Sequence, residues 1–203
     1  MALVRSIVFV DGENLTMRYQ ALAAAGRKPL PSVSHIQDIC VWTSDFQSKR
    51  VIDTDVLRVN YYTSVVGDDG EVCRIKDSLA NLPYLGIYDY YGRCQLYPRV
   101  YKKPKKSNKS RLVDINITID VMRHCYSNAI DVVYIFSGDG DFVNLVEEVA
   151  RSGKKVCVAA FSSGLERRLV TSVDRFVLSD DFYFEPVVLA PSPSIQQIPN
   201  PVS

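Results

Sequence analysis

Asp139 and Asp141 lie in the stretch Ile135-Phe-Ser-Gly-Asp-Gly-Asp-Phe142, directly after the apolar run Val132–Phe136. An apolar run of that length reads as a buried strand, and open α/β sheets bind ligands at the carboxyl ends of such strands. Asp11 follows a second such run, Ser6–Val10, with Asn14 three residues further on. Asp114 and Asp120 share a third segment, Leu112–Met122. Two carboxylates as close as 139 and 141 repel unless a cation lies between them. Each acid also has an ordinary use. Asp141 can cap a helix, Asp11 and Asn14 can shape a turn or a cap, and Asp114 suits a helix start. Asp120, flanked by Ile119 and Val121, needs solvent or a charged partner.

Five carboxylates with one Asn, and no histidine, cysteine or serine triad beside them, form an all-oxygen donor set. Such donors select hard cations, Mg²⁺ or Mn²⁺, which keep several waters and accept phosphate oxygens. A metal held this way can ionise a water and stabilise the leaving oxygen of a phosphodiester. Residues 102–111 add six cations, Lys102, Lys103, Lys105, Lys106, Lys109 and Arg111, and no acid. That run offers a surface for tracking phosphates.

The elements that must position these residues alternate. Ser6–Val10 predicts a first strand, followed by a helix from Leu15 to Ala25 that Asn14 caps and Gly26 stops. Ser34 caps a helix over 35–47, with Ile36, Ile39, Cys40 and Trp42 or Phe46 inward. A strand at 55–63, turn chemistry at 66–70 and a helix at 71–82 follow. Residues 86–101 carry two aromatic strand patterns around Gly92, whose tyrosines either stack on bases or sit half-buried in a sheet. The segment from Leu112 predicts a helix with 112, 115, 119, 122 and 126 as its inner face. On it, Asp114 and Asp120 point about 120° apart. After Asp141 come a helix ending at Gly153, a strand at 155–160, a short helix at 162–170 and a strand at 173–178. Strands alternating with helices predict an α/β fold, a doubly wound and mainly parallel sheet with helices on both faces. Residues 1–185 form one domain, and the Pro/Ser-rich tail 186–203 is expected to be poorly ordered.

With 203 residues, 47% hydrophobic and 23% charged, the composition is that of an ordinary globular domain. The net charge of +1 excludes a globally basic nucleic-acid binder but leaves room for a local basic patch. Five cysteines, at 40, 73, 94, 125 and 157, are scattered and never in a Cys-x-x-Cys pair. That argues against a disulfide framework and a zinc site and suits a reducing compartment. No run approaches a membrane span or a signal h-region. The expectation is a soluble, cytoplasmic protein without a membrane partner, with assembly into a homo-oligomer left open.

Phe9-Val-Asp-Gly-Glu-Asn-Leu15, Arg111-Leu-Val-Asp-Ile-Asn-Ile-Thr-Ile-Asp120 and Ser137-Gly-Asp-Gly-Asp-Phe142 resemble, in order and spacing, the three motifs of NYN domains. The similarity is to the LabA-like branch of the PIN-like nuclease group, over about residues 5 to 180. The resemblance implies a PIN-like, Rossmannoid sheet, a Mg²⁺- or Mn²⁺-dependent acidic site, and single-stranded RNA as substrate. By position it implies Asp11 and Asp139 as metal ligands, with Asp141 and Asp114 or Asp120 completing the catalytic cluster. Asn14 and Ser137 become substrate contacts. Two departures stand out. Arg111 occupies a position where the family usually has Lys, and Asn116 and Thr118 replace small or apolar residues.

Two readings compete with a metal-dependent ribonuclease. One is an RNA-binding or regulatory module with a weak acidic cluster. The other is a phosphohydrolase of the haloacid-dehalogenase type, which requires an acid two residues after the first Asp. Glu13 stands there, but no later lysine is placed for that chemistry.

Overall fold

The computed structural model describes residues 4–45, 52, 54–84, 94–104 and 111–186, with Tyr84 and Cys94 as backbone only. In chain order the elements are β1 (Arg5–Asp11), α1 (Gly12–Ala24), β2 (Ser34–Ile36), β3 (Cys40–Trp42), β4 (Asp55–Val65), α2 (Asp69–Ala80), β5 (Pro83–Tyr84), β6 (Cys94–Gln95), β7 (Tyr97–Lys102), α3 (Arg111–Tyr126), β8 (Val132–Phe136), a 3₁₀ turn (Gly140–Phe142), α4 (Val143–Arg151), β9 (Lys155–Ala160), α5 (Arg167–Thr171), β10 (Arg175–Leu178) and α6 (Asp180–Tyr183).

Six strands form one sheet in the order β10-β9-β8-β1-β4-β7, and every neighbouring pair is parallel. β1 is central and buried on both faces, which is why it reads as an unbroken apolar run. Its side chains alternate between two cores. Val8 and Val10 pack with Leu15 and Tyr19 of α1 and Ile75 and Leu79 of α2. Ile7 and Phe9 pack with Val113, Ile117 and Val121 of α3 and with Val143, Val146 and Val149 of α4. The doubly wound α/β prediction holds. The start of β1 is tied to the loop before β8 by an Arg5–Asp131 ion pair at 3.3 Å, and that guanidinium holds the Asp131 carboxyl below its usual range.

Several local expectations fail for identifiable reasons. Residues 34–42 form the antiparallel hairpin β2–β3 and not a helix. Its strands are too short for alternation to show, and its turn passes through Asp38 at φ 58°. Cys40, Val41 and Trp42 still point into the core; burial pushes the Cys40 thiol up to about 12, so it is inert filler. Of the two aromatic strand patterns expected around Gly92, the first lies outside the described residues, which omit 85–93; the second divides into β6, which pairs antiparallel with β5, and β7, which joins the main sheet as its parallel edge. The helix expected at 162–170 is confined to 167–171, and α6 is an element the sequence reading missed. The tail expected from 186 onward lies outside the described residues beyond 186.

α3 presents the opposite face from the one expected. Val113, Ile117, Val121 and Cys125 are buried, while Leu112, Ile115, Ile119 and Tyr126 are exposed. Both stripes have helical spacing, and the larger side chains lie on the outer one. Small or β-branched residues instead form the layer that meets Ile7, Phe9 and Ile135 of the sheet. With that face down, Asp120 sits on the flank toward β4. Ile117 is fully buried and Ile119 is 46% exposed. Ile117→Ala is therefore expected to cost about 2–5 kcal/mol and Ile119→Ala under about 1 kcal/mol in urea unfolding. The reverse order would restore the other face.

Candidate active site at the carboxyl edge of the sheet

Asp11 is the last residue of β1 and is fully buried. It caps α1 through its side chain, whose Oδ1 accepts the Asn14 N–H at 3.1 Å. Asn14, expected as the cap, is thus the capped residue. Gly12 begins α1 because the chain passes close to β4, where an added Cβ would lie 2.7 Å from the Tyr62 carbonyl oxygen. The close approach is to the buried Tyr61 ring as well as to the Tyr62 backbone, and it fixes the start of α1 against the sheet.

β8 runs beside β1, with Val10 opposite Phe136, so Ser137 emerges next to Asp11. The Ser137 hydroxyl donates to Asp11 Oδ2 at 2.9 Å, and the Asn14 Oδ1 accepts the Gly138 N–H at 3.2 Å. The Asp139 N–H donates to Ser137 Oγ at 3.2 Å, and Asp139 Oδ1 accepts the Asp141 N–H at 3.0 Å. Asp139, not Asp141, is therefore the cap of the turn that leads into α4. Asp11, Asn14, Ser137 and Asp139 form one hydrogen-bonded group across two strand ends, with Asp139 half-buried and Asp141 exposed at its rim.

The two acids of α3 separate. Asp114 is half-buried in the first turn, and α3 packs against the Gly140–Phe142 turn. Asp120 lies about 9 Å further along the helix axis. Its Oδ2 accepts the Tyr62 hydroxyl at 2.8 Å and faces Arg99 at 3.9 Å, and its Oδ1 meets Arg123 at 2.8 Å. Asp120 thus has the charged partners a mid-helix acid needs. Tyr62, which supplies the buried hydroxyl, was not singled out from the sequence; its only signal is its place in the alternating strand at 55–63.

The basic run also divides. Lys102 ends β7 and pairs with exposed Asp69 at 2.6 Å. Lys103 lies 3.6 Å from Glu13 Oε1, and the buried Ser64 hydroxyl donates to the same Glu13 oxygen. Glu13 and Lys103 are largely buried, with side chains 5% and 12% exposed, so Lys103 is a structural cation in this state. Arg111 opens α3 and is exposed; Lys105, Lys106 and Lys109 lie outside the described residues.

Among the described residues, no three His, Cys, Asp or Glu side chains come together as a ligand set. The oxygen donors at the edge fit an ion that keeps most of its water shell and takes one or two carboxylates, as Mg²⁺ commonly does. Asp11 and Asp139 are the residues at the centre of that edge, with Asp141 and Asp114 as the further acids.

These placements give two expectations. Asp120→Asn should bind Mn²⁺ with wild-type affinity in a fluorescence-quench titration while losing about 1–3 kcal/mol of stability; weakened metal binding would return Asp120 to the site. Lys103→Ala, which takes the Lys103 ammonium away from buried Glu13, should cost roughly 3–5 kcal/mol in urea unfolding, whereas Lys102→Ala should leave the midpoint nearly unchanged. Equal midpoints for the two variants would contradict the assignment.

No described helix is long and apolar enough to cross a membrane. A search of curated proteins returns no match. Among solved structures, the chain is similar to a protein of unknown function from Vibrio parahaemolyticus. The TM-score is 0.58 at 21% identity, covering 90% of this chain and 96% of that one; at that identity the likeness concerns the fold. The family model described as "NYN domain" matches residues 5–180, a span that runs from β1 through β10 and includes every acid discussed above. The order of motifs, the parallel sheet and the acidic carboxyl edge therefore have one common account: this chain belongs to the NYN domain family.

Proposed function

We propose that the protein is a metal-dependent ribonuclease of the LabA-like branch, cleaving single-stranded RNA with Mg²⁺ or Mn²⁺. The observation that carries this reading is the hydrogen-bonded joining of Asp11, Asn14, Ser137 and Asp139 across the ends of β1 and β8. NYN domains are generally nuclease-like, and this edge keeps the acids such chemistry uses. Asp11 and Asp139 would hold the ion, aided by Asp141 and Asp114. When bound, the ion supplies a water acidic enough to attack phosphorus and offsets charge on the leaving oxygen.

The chain's own residues account for the rest. Asp11 is held in one orientation by two donors, so little reorganisation remains when substrate arrives. Ser137 passes that order on to the Asp139 backbone. Asp141, exposed at the rim, would accept a proton from water near the phosphodiester. The amino end of α1 sets its positive dipole end against Asp11, which caps it.

The second reading, an RNA-binding or regulatory module, is favoured by one observation: the absence of a three-residue ligand set among the described residues. Cleavage separates the two. Labelled oligo(U) incubated with Mn²⁺ should be cut by the wild type and protected by EDTA. Asp139→Asn should lower the rate at least about a hundredfold with an unchanged or raised melting temperature, because one repelling carboxylate is gone. Full activity in purified Asp139→Asn would sink the assignment of the site to Asp139, and oligo(U) bound but uncut by the wild type would sink the nuclease reading and favour the module.

A further inference from the structure

At the β7 edge one face of the sheet runs out past α3, which covers Tyr62 of β4 and packs with Tyr101 but leaves Tyr97 exposed. α2 packs on β7 from one side, burying Leu96 and Val100. Tyr97, Arg99 and Tyr101 alternate onto the other side. There they lie beside Asn60, Tyr62 and Ser64 of β4, their register partners. Arg58 belongs to the same face, because the register shift between Ser6 and Ile7 sets it opposite Ile7. Tyr97 is 43% exposed. The guanidinium carbons of Arg58 and Arg99 stand 4.6 and 4.8 Å from its ring centroid. Arg123 joins from α3 through Asp120, which it shares with Arg99. Two guanidiniums thus meet one carboxylate, and the third, Arg58, stands over the Tyr97 ring. Their joint field reaches the neighbouring His124, whose ring is held below its ordinary value first by burial and then by Arg58, Arg123 and Arg99, against Asp120.

We infer that Tyr97, Arg58, Arg99 and Arg123 form a seat for the unpaired bases and phosphates of a single-stranded nucleic acid. The excess positive charge selects a polyanion. Guanidinium planes and a tyrosine ring are the surfaces on which unstacked bases pack. Two cation–π contacts hold the arginines in place before a ligand arrives. Asp11 pairs with Tyr62 and Tyr62 with Arg99, so Arg99 stands about 10 Å from Asp11, two strand spacings across the sheet. By alternation both side chains lie on the same face. A strand seated on the arginines is therefore led toward the acidic edge. The choice of RNA as the strand rests on the nuclease reading above; the seat itself does not.

Binding in EDTA, where no cleavage occurs, tests the seat directly. In fluorescence anisotropy with labelled oligo(U), Tyr97→Ala and Arg58→Ala should each weaken affinity at least about fivefold. Tyr97→Phe, which keeps the ring, should bind like the wild type. Arg58→Ala should also flatten the slope of log affinity against log salt by about 0.7, and a blunt RNA duplex should lose no affinity in Tyr97→Ala. Oligo(dT) bound as well as oligo(U) supports the seat equally, because stacking does not read the 2′ hydroxyl. The inference is overturned if both alanine variants bind oligo(U) with wild-type affinity, or if the wild type does not bind it. Thermal melts check folding, and Arg58→Gln, at an exposed position, replaces any variant that fails to fold. Wild-type hydrolysis of bis(p-nitrophenyl) phosphate with Mn²⁺ reads the acidic edge without this surface, so failure of the seat and failure of the nuclease reading are told apart.

Discussion

Asp11 carries a carboxylate where no solvent reaches, and the carboxyl edge is arranged around the donors that make this tolerable. A buried charge without partners costs several kcal/mol. Here the Asn14 N–H and the Ser137 hydroxyl both point at it, and the amino end of α1 adds its dipole. Each donor has a structural condition. Asn14 must stand in the first turn of a helix that starts without a spacer, which requires Gly12 against Tyr62. Ser137 must leave the strand directly beside β1, which the parallel β1–β8 pairing provides.

From that constraint the other acids take different tasks. Asp139 is drawn into the group through Ser137 and shapes the turn into α4. Glu13, next in the chain to Gly12, is turned the other way and held with Ser64 and Lys103. Asp120 fastens the flank of α3 to β4 and β7 through Tyr62 and Arg99. Burial, and then the Asp120 carboxylate, push the Tyr62 hydroxyl far above its ordinary value, so it remains a donor at any working pH. Of the two acids on α3, Asp120 is thus the one committed to the arginines.

The sheet was legible because β1, β8 and β9 are buried on both sides and show it as unbroken apolar runs. The placement of Asp11 and Asp139 at strand ends followed from the same runs. The hairpin at 34–42 was not legible, because three-residue strands carry no period. The face of α3 was misread because two stripes share its sequence, and only the sheet beneath decides which one fits. The division of labour between Asp114 and Asp120 depended on Tyr62, a residue far away in sequence, and the pairing of Lys103 with Glu13 likewise. Such long-range partners leave no local pattern.

Manganese gives the most direct test of the central claim, that this edge is a divalent-cation site. Crystals soaked in Mn²⁺ and measured for anomalous scattering should show an ion between Asp11 and Asp139, its shell completed largely by water. A crystal saturated with Mn²⁺ that shows no anomalous peak at this edge, or one only elsewhere, would contradict the account.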